Sequence, residues 1–556
     1  QNALGYNAQR ASWNFPDPWR GGEWRLRDIV DYQLIAYEAC LHNVAQNREQ
    51  YVRNFYQIGL RAVNRKDGPY AFVVPTDQHD PSAAAKMLDT LRFGQVEINW
   101  AKSPFVADGI KFPADTWVIL LNQPYGSYAK TLLERQKYPD LREYPGGPPK
   151  RPYDVTAQTL PLLMGVKTYE IAQPFEADLN KANEGRASAG DCFNDNRSQV
   201  VRAWVTPNSN ASFAAINRAM KAGASVVRLA GDFRGEHDDY PAGTFVVTFQ
   251  GKAAAVPGMC VQAGAPAPPR NAVAVKAPRI GIYASYQPSM DEGWTRWLLD
   301  QFEFPYTQIH DKDVRAGNLN SRFDVIIIPD QNTSGIVNGL RNAAREGVGE
   351  GGAGRGNEPA TQRAVGDSNG AGRIPEEFTG GIGISGVEAL KLFVTEGGTL
   401  ITLNGASNFA IERLGVGARN VLQGVSNKDF YGPGSILRVN VDTAHPLAWG
   451  MEKDAAIWFE HSPAFAPSFE ASSSDVVNVA TYPAGNPLMS GWLLGDQLLQ
   501  GHSALVDAPL GAGHVVMFGF RPQYRGQSYG TFKLLFNALY YFGDVAQHSA
   551  QPRTSD

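Results

Sequence analysis

Apolar residues recur at three- and four-residue steps from Leu26 through Val30, Leu34, Tyr37, Leu41 and Val44, a spacing that predicts a helix. After the polar stretch Gln46–Gln50 the step resumes at Val52, Phe55, Gly59 and Val63, so the segment reads as one long helix or as two with a break near Asn47. Unbroken, it would extend roughly 55 Å. Ahead of it, Trp13-Asn14-Phe15-Pro16-Asp17-Pro18-Trp19-Arg20-Gly21-Gly22-Glu23-Trp24 fits neither helix nor ladder, and its rings must cover apolar surface belonging to something else. Asp17, Asp28 and Asp31 beside Arg20, Arg25 and Arg27 read as capping and ion-pair residues at the helix start, or as the lining of a site.

An internal repeat follows. Ala71-Phe72-Val73-Val74-Pro75 resembles Ala203-Trp204-Val205-Thr206-Pro207, and each string precedes a polar turn and an amphipathic helix, predicted over Ser82–Phe93 and Ser212–Ala222. Each copy closes on Pro-Ala-x-Thr-aromatic-Val, at Pro113–Val118 and Pro241–Val246. The offset is 132 residues at the start (71 to 203) and 128 at the end (113 to 241). Each copy reads strand–helix–strand–loop–strand, which predicts two similar α/β units at about 68–124 and 199–250. A segment rich in Ala, Gly, Pro and Val at 263–277 reads as an interdomain linker. From Pro278 strands alternate with helices, predicting an open, mostly parallel sheet over 278–546. Within it the Gly-rich, polar stretch 345–372 reads as a surface insertion, and 547–556 as a tail.

Composition narrows the function classes. The chain has 556 residues, 43% of them apolar and 19% charged, with 57 Gly and 36 Pro for turns. A net charge of −4 gives no basic excess for nucleic acid, and no apolar run reaches the roughly 18–20 residues of a membrane span. Among three cysteines, Cys40 lies in a helical pattern and reads as a buried thiol. Cys192 and Cys260 sit in polar loops, and either stay reduced or form one disulfide in an oxidising compartment. The chain starts at Gln1, which is read either as the product of processing or as the start of a fragment.

Several longer strings are similar to bacterial zinc carboxypeptidase-like proteins of the carboxypeptidase A superfamily. They are Ser289-Met290-Asp291-Glu292-Gly293-Trp294-Thr295-Arg296-Trp297, Arg315-Ala316-Gly317-Asn318-Leu319, Phe323–Asp330, Gly380–Gly383, Gly519-Phe520-Arg521-Pro522-Gln523 and Gly530–Asn537, with Trp13–Trp19, Trp24–Asp28 and Arg151–Thr156. The resemblance implies a peptidase domain followed by a long C-terminal extension, located in the periplasm or outside the cell. It implies that residues 1–66 are the end of the peptidase region, with Trp13–Trp24 packing on the peptidase domain, and that 67–262 and 278–546 are the extension. The family's zinc site needs His-x-x-Glu. None of the nine His (42, 79, 237, 310, 445, 461, 502, 514, 548) begins that motif, and His310-Asp311-Lys312-Asp313, the nearest approach, reads as a solvated turn. The expectation is therefore a chain with no catalytic, cofactor or metal residue of its own, any zinc belonging to a peptidase domain elsewhere.

Residues 278–546 also resemble a class I glutamine amidotransferase-like fold. Ser407 in Asn404-Gly405-Ala406-Ser407-Asn408-Phe409 stands where that fold's nucleophile would be, and Gly519–Gln523 stands where a His-Pro-Glu type segment would be. Ser407 reads as a helix N-cap, or as the nucleophile of a hydrolase with His461 or His502 as base. Arg521, Tyr524 and Arg525 follow a strand end and read as ordinary helix capping and packing, or as a site for an anionic group; Asp291 and Glu292 suit the start of a helix, with a binding role as the other reading. Glu236-His237-Asp238-Asp239 reads as an acidic loop or a cation site. The functional expectation is a non-catalytic part of a carboxypeptidase-like protein. The alternatives are a stand-alone binding module for peptide or glycan, and a Ser407 hydrolase.

Overall fold

The computed structural model describes residues 10–13, 16–18, 21–181, 200–235, 239–250, 262–263, 266–340, 374–468 and 476–543. Cys192, Cys260, Glu236–Asp238, the 345–372 insertion and the 547–556 tail lie outside them. The chain divides into two compact units, Gln1–Arg65 with Asn122–Pro124, and Lys66–Leu121 with Tyr125–Asp556.

The first unit holds two helices, α1 (Leu26–Gln46) and α2 (Arg48–Val63). They part at Asn47, whose φ of −106° and ψ of 22° leave the helical region. Asp28 accepts the Arg25 N–H at 2.7 Å, and Arg27 pairs with Asp31 one turn on at 2.8 Å, so these charges cap and brace α1. No residue of α1 is buried, and only Ala62 of α2 is. The expected burial of Cys40 is thus corrected: its thiol is free and exposed, because α1 buries none of its faces.

The second unit opens with two copies of one fold. The first runs β1 (Ala71–Val74), α3 (Pro81–Phe93), β2 (Asn99–Ala101), the hairpin β3 (Phe105–Ala107) and β4 (Ile110–Phe112), and β5 (Trp117–Leu120). After α4 (Gly126–Leu133) and α5 (Leu160–Met164) come β6 (Tyr169–Ile171) and β7 (Leu179–Lys181). The second copy runs β8 (Val200–Val205), α6 (Asn210–Lys221), β9 (Ser225–Arg228), the hairpin β10 (Phe233–Arg234) and β11 (Asp239–Tyr240), β12 (Phe245–Gln250), β13 (Gln262–Ala263) and β14 (Val273–Val275). The sheet orders are β6-β1-β5-β2-β7 and β13-β8-β12-β9-β14, equivalent strand for strand. Every neighbouring pair in both is antiparallel. The duplication therefore extends beyond the repeated strings to both edge strands. Part of the stretch read as a linker is strand: β14 (Val273–Val275) closes one edge of the second sheet against β9, and β13, which includes Ala263, closes the other against β8. Val273-Ala274-Val275 alternates as a short edge strand needs, and composition alone concealed it.

The remainder comprises β15 (Ile280–Tyr283), α7 (Met290–Gln301), β16 (Tyr306–Ile309), α8 (Asp311–Arg315), β17 (Val325–Ile328), α9 (Thr333–Val337), α10 (Gly383–Thr395), β18 (Thr399–Leu403), α11 (Ser407–Phe409), β19 (Ala418–Asn420), β20 (Pro433–Val441), β21 (Asp454–Glu460), β22 (Phe465–Pro467), β23 (Val477–Thr481), β24 (Leu488–Ser490), β25 (Ser503–Leu510), β26 (Gly513–Phe518) and α12 (Tyr529–Leu539). Its main sheet runs β16-β15-β17-β18-β26-β25-β23-β20-β21. From β16 to β26 every pairing is parallel, and from β26 onward every pairing is antiparallel. The molecule is mixed α/β, and the expectation of a mostly parallel sheet is corrected: parallel pairing is confined to this half-sheet. The chain reverses at the tight β25–β26 hairpin, and hairpin-type connections force antiparallel neighbours where helical crossovers do not. The central parallel strands β17 and β18 are buried throughout, as helices above and below require. The second repeat joins this body through aromatic packing: Phe213 of α6 meets Phe536 of α12 at 5.2 Å, and Phe245 of β12 meets Tyr540 at 6.1 Å.

Candidate site at the carboxyl ends of the parallel strands

In the order β16-β15-β17-β18-β26, chain direction along the sheet reverses between β15 and β17. Loops leaving those two strands diverge to opposite faces, so a crevice opens beyond their carboxyl ends, where open α/β sheets bind ligands. A cavity of about 270 Å³ lies there, lined among others by Tyr283 at the end of β15 and Ser289 beyond it, His310 after β16, Asp330 and Gln331 after β17, and Phe378.

Each polar group around it is positioned by the end of an element. Ser289 caps α7, its Oγ accepting the Glu292 N–H at 3.3 Å. Glu292 then takes the Arg296 guanidinium at 2.6 Å and the Gln308 amide at 2.8 Å. His310 begins α8; Asp313 accepts its backbone N–H at 3.0 Å and its ring Nδ1 meets the Ala284 carbonyl at 2.9 Å. The His-x-x-Asp string is thus a helix-start pair rather than a solvated turn. Tyr283 donates its hydroxyl to buried Asp311 at 2.6 Å.

Beside the crevice, Arg521 follows β26 and is wrapped by three carboxylates. It meets Asp330 at 2.6 Å, Glu460 at 2.9 Å and Asp291 at 3.0 Å. Three acids face one guanidinium at low exposure, so the cluster carries excess negative charge. Burial, with Asp330 and Glu460 adding to it against the pull of Arg521, lifts the Asp291 carboxyl to about 6. The neighbouring carboxylates hold the Arg521 guanidinium above its ordinary value despite burial. The contacts of Arg521, Tyr524 and Arg525 are those of ion pairing and packing rather than of an open anion site. Arg521 is consumed by acids, Arg525 forks onto Asp154 at 2.7 and 2.9 Å, and Tyr524 stacks on Trp458 at 3.8 Å. Asp291 and Glu292 do start α7, but they bond side chains in addition to suiting the helix dipole.

Ser407 is fully buried within a helical turn, with Ala406 preceding it in helical geometry, so it is not an N-cap. Its Oγ donates to the Phe518 carbonyl at 3.1 Å and lies 3.1 Å from Thr402 Oγ1. Among the described residues no imidazole hydrogen-bonds it; His461 instead meets Tyr431 edge-on. Burial depresses both His461 and His502 below the ordinary histidine value.

The residue at the strained strand-to-helix turn is Asn404, which sequence reasoning passed over. Its φ of 52° lies in the left-handed region, its side chain is buried, and its Oδ1 has no hydrogen-bond partner. The next residue, Gly405, donates its N–H to Asp330 Oδ1 at 2.8 Å, and a Cβ on Gly405 would lie 2.7 Å from that oxygen. The available signal was Asn-Gly directly after a buried strand, since Asn is enriched at positive φ.

Among the described residues, no three of His, Cys, Asp or Glu gather as a metal-holding group, and no helix is long and apolar enough to cross a membrane. What the crevice offers is polar hydrogen bonding around Gln308, His310 and Glu292, beside a charge cluster whose Asp291 exchanges a proton in the mildly acidic range.

No family model and no curated protein matches the chain. Solved structures align with about half of it. A ThuA-like protein from Bacteroides uniformis is 12% identical over 50% of this chain and 94% of its own, with a TM-score of 0.26. A cytoplasmic protein from Salmonella typhimurium is 13% identical over 48% of this chain and 98% of its own, TM-score 0.27. An exo-beta-1,4-mannosidase from an Opitutaceae bacterium is 13% identical over 48% of this chain and 37% of its own, TM-score 0.25.

Proposed function

We propose that this chain is a non-catalytic part of a zinc carboxypeptidase-like protein, with α1 and α2 forming the seat of a peptidase domain. The carrying observation is the exposure of their apolar side chains: Leu26 is 77% exposed, Leu41 71%, and Val52 and Phe55 70% each. Helices with apolar residues unburied over this length need a covering surface. The resemblance in Trp24–Asp28 and Ser289–Trp297 supports a peptidase domain as that cover. Zinc belongs to that domain in this reading. The C-terminal body is an amidotransferase-like domain with a silent elbow, a reading supported by its parallel strand order and by Asn404 at the turn.

The test is to assay this chain alone for bound zinc and for release of C-terminal residues from peptides, then to mix it with the peptidase domain of its parent protein. Stable association with no hydrolysis by the isolated chain is expected. Stoichiometric zinc together with peptide hydrolysis by the chain alone overturns the reading.

A second reading, a binding module for peptide or glycan, is supported by the 270 Å³ crevice, whose hydrogen-bonding groups suit a hydroxyl-rich ligand. Saturable binding of a glycan fragment, lost on Gln308→Ala, would favour it.

A further inference from the structure

The second unit holds a larger cavity, about 630 Å³, between α5, α12 and β21, the strand that ends the main sheet. Its floor is closed: Asp80 accepts the Ser82 N–H at 3.0 Å and the Asn210 N–H at 2.9 Å, and pairs with Lys533 at 3.7 Å. The wall built by Gln78 and Lys167 is also satisfied, since the Gln78 amide donates to the Lys167 carbonyl at 3.0 Å and accepts the Lys167 N–H at 2.9 Å. The β21 wall is different.

Among the described residues β21 has one strand neighbour along the main sheet, β20. Their ladder is antiparallel, so the peptide groups of β21 point alternately toward β20 and away from it. Arg438 stands opposite Ala456 and gives its N–H to the Pro487 carbonyl at 2.8 Å, on the far side of β20. Ala456 therefore turns its own N–H and C=O away from β20, and Asp454 and Trp458, two residues to either side, do the same. The segment after β26 covers one end of this edge, where Arg521 gives its N–H to the Trp458 carbonyl at 3.4 Å. The other end, Asp454–Ala456, lines the cavity, and among the described residues no group hydrogen-bonds the outward N–H and C=O of Asp454 or Ala456. An open sheet edge is a template for an added strand. The short side chains of Ala455 and Ala456 leave it accessible, and Met451 and Met489 beside it offer adaptable apolar contact. With Asp80 and Lys533 counted as a pair, the fixed charges lining the cavity are Asp77, Glu452 and Asp454 against Lys167 and Arg438, three negative to two positive.

We propose that an extended peptide of alternating apolar and basic residues docks here as a strand beside β21, its main chain hydrogen-bonded to Asp454 and Ala456. Its apolar side chains pack on Met451 and Met489, and its basic side chains, on the opposite face of the added strand, meet the exposed acids. The site lies apart from the crevice and does not depend on what covers α1 and α2.

The test titrates the full chain with acetyl-Leu-Lys-Val-Lys-Leu-amide by calorimetry, and follows hydrogen exchange across Asp454–Trp458 by mass spectrometry. Two control peptides accompany it, one with its main-chain nitrogens methylated and one with glutamate in place of lysine. Saturable binding of the lysine peptide is expected, with exchange slowed in that segment. The methylated peptide should bind at least about ten-fold more weakly, as loss of main-chain hydrogen bonds implies, and the glutamate peptide should also bind more weakly. Ala456→Pro removes an outward donor at an edge position while keeping the bonds to β20, and should weaken the lysine peptide by at least about ten-fold. Should that variant fail to fold, the exchange readout on the unaltered chain decides the matter. No saturable binding, equal affinity for the methylated or the glutamate peptide, or exchange across Asp454–Trp458 unchanged by the lysine peptide would each overturn the proposal.

Discussion

Ser209 Oγ donates a hydrogen bond to Asp80 Oδ1 at 3.0 Å, so the residue preceding α6 of the second repeat is tied to the residue capping α3 of the first. The two copies therefore meet helix start to helix start around a shared carboxylate. Removing that carboxylate strips both helices of an acceptor and leaves Lys533 buried without its counter-charge. Asp80→Ala should destabilise the second unit by about 3–5 kcal/mol, the range for breaking one side of a buried pair. Ser209→Ala should cost only about 0.5–1.5 kcal/mol. Urea unfolding curves of the three proteins measure this, and equal losses for the two variants would show that Asp80 acts through one helix alone.

The Arg521 cluster predicts a pH dependence of unusual sign for an acid. Asp291 in the folded protein titrates near 6, above its ordinary 3.8. Between those values the folded state binds more protons than the unfolded chain, so this group's stabilisation is complete below about pH 4 and fades as pH rises through 6. At about 1.4 kcal/mol per unit its ceiling is on the order of 3 kcal/mol. Asp80 and Asp324, both depressed, act in the opposite direction and lose their contribution as pH falls. The informative quantity is the difference between the parent and Asp291→Asn. Melting temperatures from pH 4 to 8 should show the variant gaining on the parent with rising pH, and parallel curves would refute the shift.

Arg521 should resist replacement. Arg521→Met leaves Asp291, Asp330 and Glu460 facing one another, and a loss of about 3–5 kcal/mol is expected at neutral pH. Substituting Asp291→Asn and Asp330→Asn together in that background should restore much of it. No recovery in denaturation midpoint would mean that the arginine acts mainly through packing.

Ser407→Ala tests the hydrolase alternative through stability. Loss of the donor to the Phe518 carbonyl should cost about 1–3 kcal/mol. Any esterase activity of the preparation should be unchanged after correction for the folded fraction, and abolition of that activity by the substitution would restore Ser407 as a nucleophile.

The docking surface makes a separable prediction. Leu41 and Phe55 are exposed in their own helices, so Leu41→Glu and Phe55→Glu should shift the chain's own melting by no more than about 0.5 kcal/mol. Each should weaken association with the peptidase domain at least about ten-fold, as expected when an apolar anchor is lost. Unchanged affinity in a titration would remove α1 and α2 from the interface.

Features set by neighbours in the chain were legible from sequence. The break at Asn47, the α7 start around Asp291 and Glu292, the buried run of β17 and the two repeated strings follow from local periodicity and capping chemistry, which operate within a few residues. The repeat was visible because equivalent strands and turns need similar side chains wherever they occur. The edge strand Val273–Val275 was not, since an edge is defined by its partner β9, and its Ala, Gly and Pro neighbours resemble a tether. The reversal from parallel to antiparallel pairing at β26 is likewise a property of which strand lies alongside.

The sites depended still more on distance in sequence. Arg521 draws its carboxylates from the start of α7, the end of β17 and the end of β21, and Lys533 meets Asp80 from the far end of the chain. Residue types alone marked these groups as charged and near helix or strand ends. Whether a charge is answered, surplus or buried is decided only when tertiary packing removes water and chooses its neighbours, because the cost of a charge depends on what replaces its solvent. Local sequence thus determined the elements and their duplication, and the folded chain decided which ionised groups face one another out of water.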